Sequence, residues 1–335
     1  MEDRIFSTPK VIDYISSDDY AEAARLLFKQ QFETWQLNRD NYTMLKDVMI
    51  KSFRFGSYKV KVQFNPGRMT STSAKVDDKS IRERKCFLCV DNLPSEQKGI
   101  LYKDEFIILC NPYPIFPEHF TLSSLKHQPQ RIEDTFSYLL HFSKDLSKYY
   151  SVLYNGPKCG ASAPDHLHFQ AGTKFFMPLD NEFHLVKNEF GKSLIDNDDI
   201  LITAVDDGLR KMLTVESIDF DLIKKWFDKI LKILNKENPS EPESMLNIIS
   251  SYDEEFGWQT AMFLREKHRP IHYFAEGENN ILISPASVDL AGYCITPDKN
   301  TFDRIDEKII KEIFKEVFIN DLKFSSIQKR IMSLE

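Results

Sequence analysis

An alternation of polar and apolar residues in the middle of the chain carries the side chains best suited to chemistry. In residues 166–171, His166, His168 and Gln170 are polar, whereas Leu167, Phe169 and Ala171 are apolar. A period of two predicts a β-strand, and side chains two residues apart on a strand point to one face. The preceding segment 156–164 is rich in Gly, Ala, Ser and Pro, which lets the backbone approach a ligand closely. Two imidazoles and an amide on one face, beside such a loop, predict a site for phosphate chemistry.

His168 is the predicted nucleophile of this site. An imidazole is neutral near pH 7, is nucleophilic, and leaves readily once its phosphorus adduct is protonated. Gln170 on the same face is expected to donate a hydrogen bond to the transferring phosphate, because phosphoryl-type transfer depends mainly on positioning and electrostatics. The alternative is that both histidines are structural residues of a half-buried strand.

Further candidate phosphate contacts lie in the preceding loop and earlier in the chain. They are Arg68, Asn155, Lys158, Gly160, Ala161 and Ser162. Arg265, Lys267 and Arg269 form a basic group at the end of another predicted strand and are weaker candidates. For any one of these cations, the alternative is a solvated surface charge.

The pair Cys86-x-x-Cys89 has the spacing of half a zinc site. His119 and His166 are the candidate partners, and a metal held by His166 would anchor the loop beside His168 in a structural role. A redox motif would require a thioredoxin-like context, which the sequence does not show. The remaining alternative is two ordinary buried cysteines.

Composition excludes several classes of protein. Of the 335 residues, 42% are hydrophobic and the net charge is −7, which indicates a globular chain with ample core and argues against broad nucleic-acid binding. No apolar run approaches the roughly 20 residues of a membrane span, and the N-terminus lacks the features of a signal peptide. Five cysteines make a disulfide framework unlikely in so long a chain, so we expect a cytoplasmic protein.

The order of predicted elements indicates an α+β fold with two similar halves, each having antiparallel strands and packed helices. We expect an N-terminal helical segment over residues 1–50, a catalytic half over 51–190 and a second, degenerate half over 191–335. Residues 219–235 form a strongly amphipathic predicted helix. Residues 178–199 have a mixed pattern typical of a loop.

The His-x-His-x-Gln motif resembles that of the histidine-triad superfamily, in the branch that contains galactose-1-phosphate uridylyltransferases, diadenosine tetraphosphate phosphorylases and GDP-hexose phosphorylases. The chain is most similar to GDP-L-galactose and GDP-glucose phosphorylases. That likeness covers scattered positions over about residues 53–320, namely Gln63–Arg68, Gln128–Ile132, His166–Ala171 and the segment from Ile283 to Gly292. Cys86–Cys89 and Phe116–His119 instead resemble the zinc-binding segments of the uridylyltransferases.

The resemblance implies an activity and a set of roles. His168 would carry the nucleotidyl group during transfer from a nucleoside diphosphate sugar, such as a GDP-hexose, to phosphate. Cys86, Cys89, His119 and His166 would hold a zinc ion. The alternatives are a hexose-1-phosphate nucleotidylyltransferase, a dinucleoside polyphosphate phosphorylase and a nucleotide-binding protein without catalysis. A nucleoside diphosphate sugar and phosphate are the expected partners, and the sequence does not decide between a monomer and a homodimer.

Overall fold

An eleven-stranded sheet forms the framework of the computed structural model, which describes residues 5–6, 19–69, 77–237 and 243–334. The strand order is β1-β4-β5-β6-β8-β7-β12-β13-β11-β10-β9, and β14-β3-β2 form a second, three-stranded sheet. The strands are β1 (Ile5–Phe6), β2 (Met49–Phe55), β3 (Tyr58–Phe64), β4 (Gly99–Tyr102), β5 (Phe106–Cys110), β6 (His119–Ser124), β7 (Tyr150–Asn155), β8 (His168–Thr173), β9 (Gly191–Asp196), β10 (Leu201–Asp206), β11 (Lys211–Ser217), β12 (Leu246–Asp253), β13 (Gly257–Leu264) and β14 (Tyr293–Thr296).

The large sheet contains the same strand arrangement twice. The order β4-β5-β6-β8-β7 in one half corresponds to β9-β10-β11-β13-β12 in the other, and β7 pairs with β12 in an antiparallel arrangement at the centre. In each half, a helix connects the third strand to the fourth. The α+β prediction with two similar halves is therefore confirmed, whereas the proposed domain boundaries stay predictions.

Helices cover the sheet and fill the ends of the molecule. They are α1 (Tyr20–Thr34), α2 (Gln36–Met44), α3 (Asp78–Glu83), α4 (Phe136–Asp145), α5 (Pro178–Phe190), α6 (Phe220–Glu237), α7 (Ile271–Phe274), α8 (Ser287–Leu290), α9 (Lys299–Arg304), α10 (Glu307–Val317) and α11 (Asp321–Met332). The helix predicted over 219–235 is present as α6, whose apolar stripe is buried because such a face is stable only against other apolar surface.

Two buried apolar clusters stabilise the fold. One lies between the large sheet and helices α1, α4 and α6, and includes Phe142, Phe169 and Phe227. The other lies between the opposite face of the sheet and the elements of the small sheet, and includes Tyr58, Phe116 and Phe263. The strand that carries the predicted site therefore lies between two packed layers, which hold its backbone in a fixed position.

Two predictions about local structure need comment. Residues 178–199, predicted as a loop, contain α5 and β9. The helix buries only a few apolar positions, so its periodicity is weak in the sequence, and tertiary packing decides its conformation. The predicted N-terminal helical segment over 1–50 contains α1 and α2, but Ile5–Phe6 form β1 and its last residues belong to β2. Residues 1–4 and 7–18 lie outside the described residues.

Candidate active site

His168 is the first residue of β8 and is held in the middle of the large sheet. It lies opposite Ser123 of β6, and one glutamine fixes its backbone. The Gln130 side chain accepts a hydrogen bond from His168 N (2.8 Å) and donates to the carbonyl oxygens of His168 and Asn155 (both 2.9 Å). Gln130 thus holds the last residue of β7 and the first residue of β8 in fixed positions. Sequence analysis gave it no role, although it lies in one of the segments that carry the family resemblance.

The imidazole of His168 is oriented by one backbone carbonyl. Its Nδ1 lies 2.8 Å from the carbonyl oxygen of His166, which can only accept, so Nδ1 carries the proton and Nε2 has a free lone pair. The residue is 3% exposed. Burial lowers the pKa of His168 to about 4, although the His166 carbonyl favours the protonated ring. A neutral imidazole with Nε2 available has the form that a nucleophile requires.

His119 orients the amide of Gln170 and is not part of the metal cluster, which corrects the role implied by the resemblance. Ile115 N donates to His119 Nδ1 (3.3 Å), so Nε2 carries the proton and donates to Gln170 Oε1 (2.9 Å). Burial and the nearby charge of Arg68 lower the pKa of His119 to about 3, which keeps this ring neutral. With its oxygen engaged, Gln170 turns its NH2 group toward a ligand.

The physical reason for the correction is distance along β6. His119 begins this strand, whereas the cysteines approach its other end, where Ser123 Oγ lies 3.1 Å from His166 Nε2. The fourth member of the cluster is instead His127, which follows β6. Its ring nitrogen, that of His166 and the sulfurs of Cys86 and Cys89 all lie within 4.8 Å of one another.

The geometry of this cluster fits a tetrahedral metal ion. Cys86 Sγ lies 3.3 Å from His166 Nδ1, Cys89 Sγ lies 3.3 Å from His127 Nδ1, and the two Nδ1 atoms are 3.3 Å apart. Around a zinc ion with bonds of about 2.0–2.3 Å, tetrahedral geometry separates the ligand atoms by roughly 3.3–3.8 Å. The four residues can therefore hold a metal ion, with two sulfur and two nitrogen ligands.

A hydrogen bond from the His166 ring and an ion pair next to it hold His166 in the orientation that a metal ligand needs. Its Nε2 lies 2.8 Å from the carbonyl oxygen of Ser124 and donates to it, so Nδ1 presents a lone pair to the cysteines. Asp165, just before it, forms an ion pair with Arg84, two residues before Cys86. This pair connects the two segments that bring the ligands together.

Most of the predicted phosphate contacts line one cleft, and Lys158, Arg265 and Lys267 do not. Arg68, Asn155, Gly160, Ala161 and Ser162 line a cleft together with Gln170, and its opposite wall comes from the second half of the chain. Lys158 is not among the described residues that line the cleft. Its charge nevertheless helps to lower the pKa of His268, which lies on the opposite wall. Arg265 and Lys267 have structural contacts, whereas Arg269 and His268 line the cleft.

Two contacts across the junction of the halves shape this cleft. Asn155 Oδ1 accepts hydrogen bonds from Ser287 N, Ser287 Oγ and Asn247 Nδ2 at 2.7–2.9 Å, so its oxygen is engaged and its NH2 group remains for a ligand. Gly160 has a φ of +96°, and a Cβ there would lie 2.6 Å from Ala286 Cβ. The loop can approach the second half only because residue 160 is glycine.

A larger cavity opens on the other side of His168 and Gln170. It has a volume of about 620 Å³ and a mainly apolar wall that includes Trp35, Phe87 and Leu109. Asn111, Ser162 and Gln170 line both spaces. A ligand with an aromatic end and a phosphate would thus place its phosphate beside His168, where the apolar cavity meets the polar cleft.

Comparisons with known proteins agree with this architecture. Residues 27–173 match a family model described as Domain of unknown function (DUF4922), and residues 194–335 match one described as GDPGP1-like, C-terminal domain. Among curated proteins, none matches the sequence. The crystal structure of yeast Ap4A phosphorylase Apa2 is 16% identical, with a TM-score of 0.58 over 85% of this chain and 96% of that chain. The same yeast enzyme in complex with Ap4A is 14% identical, with a TM-score of 0.55 over 85% and 96%.

The class of protein follows from these findings. The chain has the fold of yeast Ap4A phosphorylase Apa2. Its second half, residues 194–335, is similar to the GDPGP1-like C-terminal domain. The described part of the chain includes no helix that is long and apolar enough to cross a membrane.

Proposed function

We propose that the protein is a nucleotidyl-transferring phosphorylase that uses His168 as its covalent nucleophile. One observation carries the proposal: the His166 carbonyl fixes the proton of His168 on Nδ1, at 2.8 Å, so that a buried, neutral imidazole offers Nε2 beside Gln170. A structural histidine would not need a free nitrogen on the wall of a cavity of about 620 Å³, next to Gln170, which lines both this cavity and the polar cleft.

The reaction has two displacement steps at one phosphorus atom. In the first, His168 Nε2 attacks the nucleotidyl phosphorus of the donor, an N–P bond forms, and the P–O bond to the leaving phosphate breaks with its electron pair. In the second, an oxygen of inorganic phosphate attacks the same phosphorus, the N–P bond breaks, and a nucleoside diphosphate leaves. The His166 carbonyl stabilises the positive charge of the modified ring, and the Gln170 NH2 group donates to the phosphoryl oxygens in both steps.

The donor we favour is a nucleoside diphosphate hexose, with GDP-hexose as the leading case. The base would occupy the apolar cavity of about 620 Å³, while the hexose 1-phosphate leaves through the polar cleft. The GDPGP1-like description of residues 194–335 supports this choice.

The test is a screen of nucleoside diphosphate sugars with and without phosphate, with products identified by mass. We expect hexose 1-phosphate and a nucleoside diphosphate as products, and acid-labile labelling of His168 when phosphate is omitted. His168→Asn should remove the label, while His141→Asn, which alters a histidine that stacks on Phe220, should retain it. Labelling that survives in His168→Asn would exclude this nucleophile.

A dinucleoside polyphosphate is the second candidate donor. The structural likeness to yeast Ap4A phosphorylase Apa2 extends over 85% of this chain, and the chemistry at His168 would be the same with a nucleoside polyphosphate as the leaving group. Parallel assays with Ap4A and GDP-hexose, compared by kcat/KM, decide between the two donors.

We further propose that Cys86, Cys89, His127 and His166 hold zinc. Two sulfur and two nitrogen ligands with tetrahedral spacing suit this ion. When bound, it would supply a structural link rather than reaction chemistry, because all four ligand positions come from the protein. His166 then serves two purposes: its ring is a metal ligand, and its carbonyl orients His168. Elemental analysis should find about one zinc per chain.

A further inference from the structure

The cleft at the junction of the halves contains more positive than negative charge, with three buried or partly buried arginines and one acidic residue, Asp289. Arg68 and Arg269 line it, and Arg265 lies directly behind it. Within the described residues, none of these three arginines forms an ion pair with Asp or Glu. Burying a guanidinium without a paired counter-ion costs free energy, so an anion that entered the cleft would be stabilised there.

Arg68 presents its charge from the first half of the chain. Its Nη1 donates to the carbonyl oxygen of Tyr113, while its Nε is buried without a partner. Burial lowers the pKa of Arg68 to about 10, so the group stays charged at neutral pH. The guanidinium is thus positioned by a backbone contact that does not neutralise it.

Arg269 presents a second charge from the opposite wall. Its Nε donates to Ser284 Oγ (3.0 Å), and its guanidinium carbon lies 4.2 Å from the ring centre of Tyr273. These contacts hold the side chain flat and leave its terminal NH2 groups for a ligand. Burial, followed by the charges of Arg269 and Arg265, lowers the pKa of the neighbouring His268 to about 4, which shows how positive the surroundings are.

Asp289 is the only acidic residue on the described lining, and its oxygens are already engaged. Oδ1 accepts from Ile295 N and Oδ2 from Ala286 N, both at 2.9 Å. Its role is to hold the turn that carries Ala286 and Ser287 against the loop of the first half. Its charge favours the charged forms of Arg68 and Arg265, but one carboxylate does not balance three guanidinium groups, and it forms no ion pair with any of them within the described residues.

We propose that Arg269, with Ser284 and Arg68, forms the subsite for the attacking phosphate, so that the second half of the chain binds the acceptor of the reaction. The inference rests on the proposed function, because it names the acceptor of that same site. The cleft adjoins Gln170 and Ser162 on the side away from the apolar cavity. A phosphate there approaches the nucleotidyl phosphorus from the side on which the first leaving group departed, as two displacements at one nucleophile require.

The kinetic test isolates the second step. Enzyme is first loaded with the nucleotidyl group in the absence of phosphate, and its discharge is followed against phosphate concentration. Arg269→Gln should raise the half-saturating phosphate concentration at least 10-fold, Ser284→Ala by a smaller factor, and Arg269→Lys by an intermediate one, because a charge-assisted hydrogen bond is lost or weakened. Discharge of Arg269→Gln with the phosphate dependence of the wild type would overturn the proposal.

The matched control is Lys267→Gln. Lys267 is two residues away and equally cationic, but its side chain is 56% exposed and pairs with Glu316. Its removal should leave the half-saturating phosphate concentration unchanged. A parallel series with hexose 1-phosphate as acceptor tests whether the subsite takes free phosphate or a sugar phosphate: discharge mainly by inorganic phosphate supports the proposal, and exclusive discharge by the sugar phosphate overturns it.

A binding measurement separates this inference from the proposed function. Titration calorimetry with inorganic phosphate on the unloaded wild-type protein needs no turnover. Weaker phosphate binding in Arg269→Gln, but not in Lys267→Gln, supports the subsite even if no donor labels His168, in which case the proposed reaction fails alone. Equal phosphate binding by all three proteins would overturn the subsite while leaving the nucleophile untouched.

Discussion

The two halves of the large sheet share one strand order but differ in chemistry. In the first half, β7 and β8 are joined by residues 156–167, which contribute Gly160, Ser162 and the proposed metal ligand His166. In the second half, the corresponding strands β12 and β13 are joined by residues 254–256 alone. β8 begins His168-Phe169-Gln170, whereas β13 begins Gly257-Trp258-Gln259. A repeated scaffold thus acquires a site through one connection and the residues that follow it.

The second half contributes to the candidate site by forming one wall of the cleft. The chain beyond β13 returns to the junction, where His268, Arg269 and Ala286 face the loop of the first half. Trp258 is the second residue of β13. Its side chain is buried, and its indole N–H donates to the carbonyl oxygen of Leu140. The comparison therefore places the proposed nucleophile and hydrogen-bond donors in the first half and most of the proposed anion-binding surface in the second.

We expect the largest loss of activity from substitution of His168, which corresponds to Gly257 at the start of β13. His168→Asn should lower kcat by at least about 10³-fold, because no other group of the site can form the N–P bond. Steady-state assays with the best donor of the screen give the value. A decrease of less than 10-fold would mean that the nucleophile lies elsewhere.

Loss of the metal cluster is the next largest change. Cys86→Ser should release the metal and lower the free energy of unfolding by on the order of 4 kcal/mol, because metal binding contributes directly to folding. Elemental analysis and chemical denaturation measure the two effects. Cys110→Ala, which alters a buried cysteine outside the cluster, should retain the metal. A chain that keeps its metal after Cys86→Ser would contradict the assignment.

The two glutamines at matching strand positions allow a direct comparison. Gln170→Ala should lower kcat about 10²-fold, since one preoriented donor to the phosphoryl oxygens is lost. Gln259→Ala should leave kcat unchanged, because the Gln259 amide contacts His184 away from the cleft. Comparable losses in both variants would argue against a role for Gln170 at the phosphorus.

A comparison of Gly160 with Gly208 distinguishes the stability cost of backbone strain from the cost of a steric clash between the halves. Both have positive φ, +96° at Gly160 and +78° at Gly208, but a Cβ at Gly208 would meet nothing within 4 Å. Gly208→Ala should cost about 1 kcal/mol of stability, and Gly160→Ala about 1–3 kcal/mol more, because it also overpacks against Ala286. Denaturant unfolding of the two variants gives the difference, and equal costs would show that the close approach is not needed.

The smallest effect concerns the carboxyl group that joins the halves. Glu243 accepts from Tyr154 Oη (2.7 Å) and Ile132 N, and burial raises its pKa to about 7. Because this pKa lies above the ordinary value of 4.5, the stabilising contribution is fully present below about pH 4.5 and is lost as pH rises to about 7. We expect a decline on the order of 1–2 kcal/mol in the wild type, and a flatter profile in Glu243→Gln. Identical pH profiles of unfolding free energy would rule out this coupling.

The sequence alone determined the parts that depend on local pattern. The alternation over 166–171 predicted a strand with three polar residues on one face; β8 is present but begins at His168, so His166 lies before it and joins the cysteines instead. The apolar periodicity over 219–235 predicted α6. The fold class also followed, because the order of strands and helices restricts the layers that can bury their apolar faces. The nucleophile stays a prediction, now with a carbonyl partner that explains its tautomer.

Only the tertiary structure decided which residues meet across long separations. Cys86–Cys89 and His166 come together as the spacing and resemblance suggested, but His127 takes the place assigned to His119. His119 instead orients Gln170, through a contact between neighbouring strands. Spacing along the chain does not reveal which end of β6 a side chain reaches, since that depends on strand register. The sequence named Arg68 and Arg269 as candidate phosphate contacts, but not that they line one cleft, because that cleft forms where two distant segments of the chain meet.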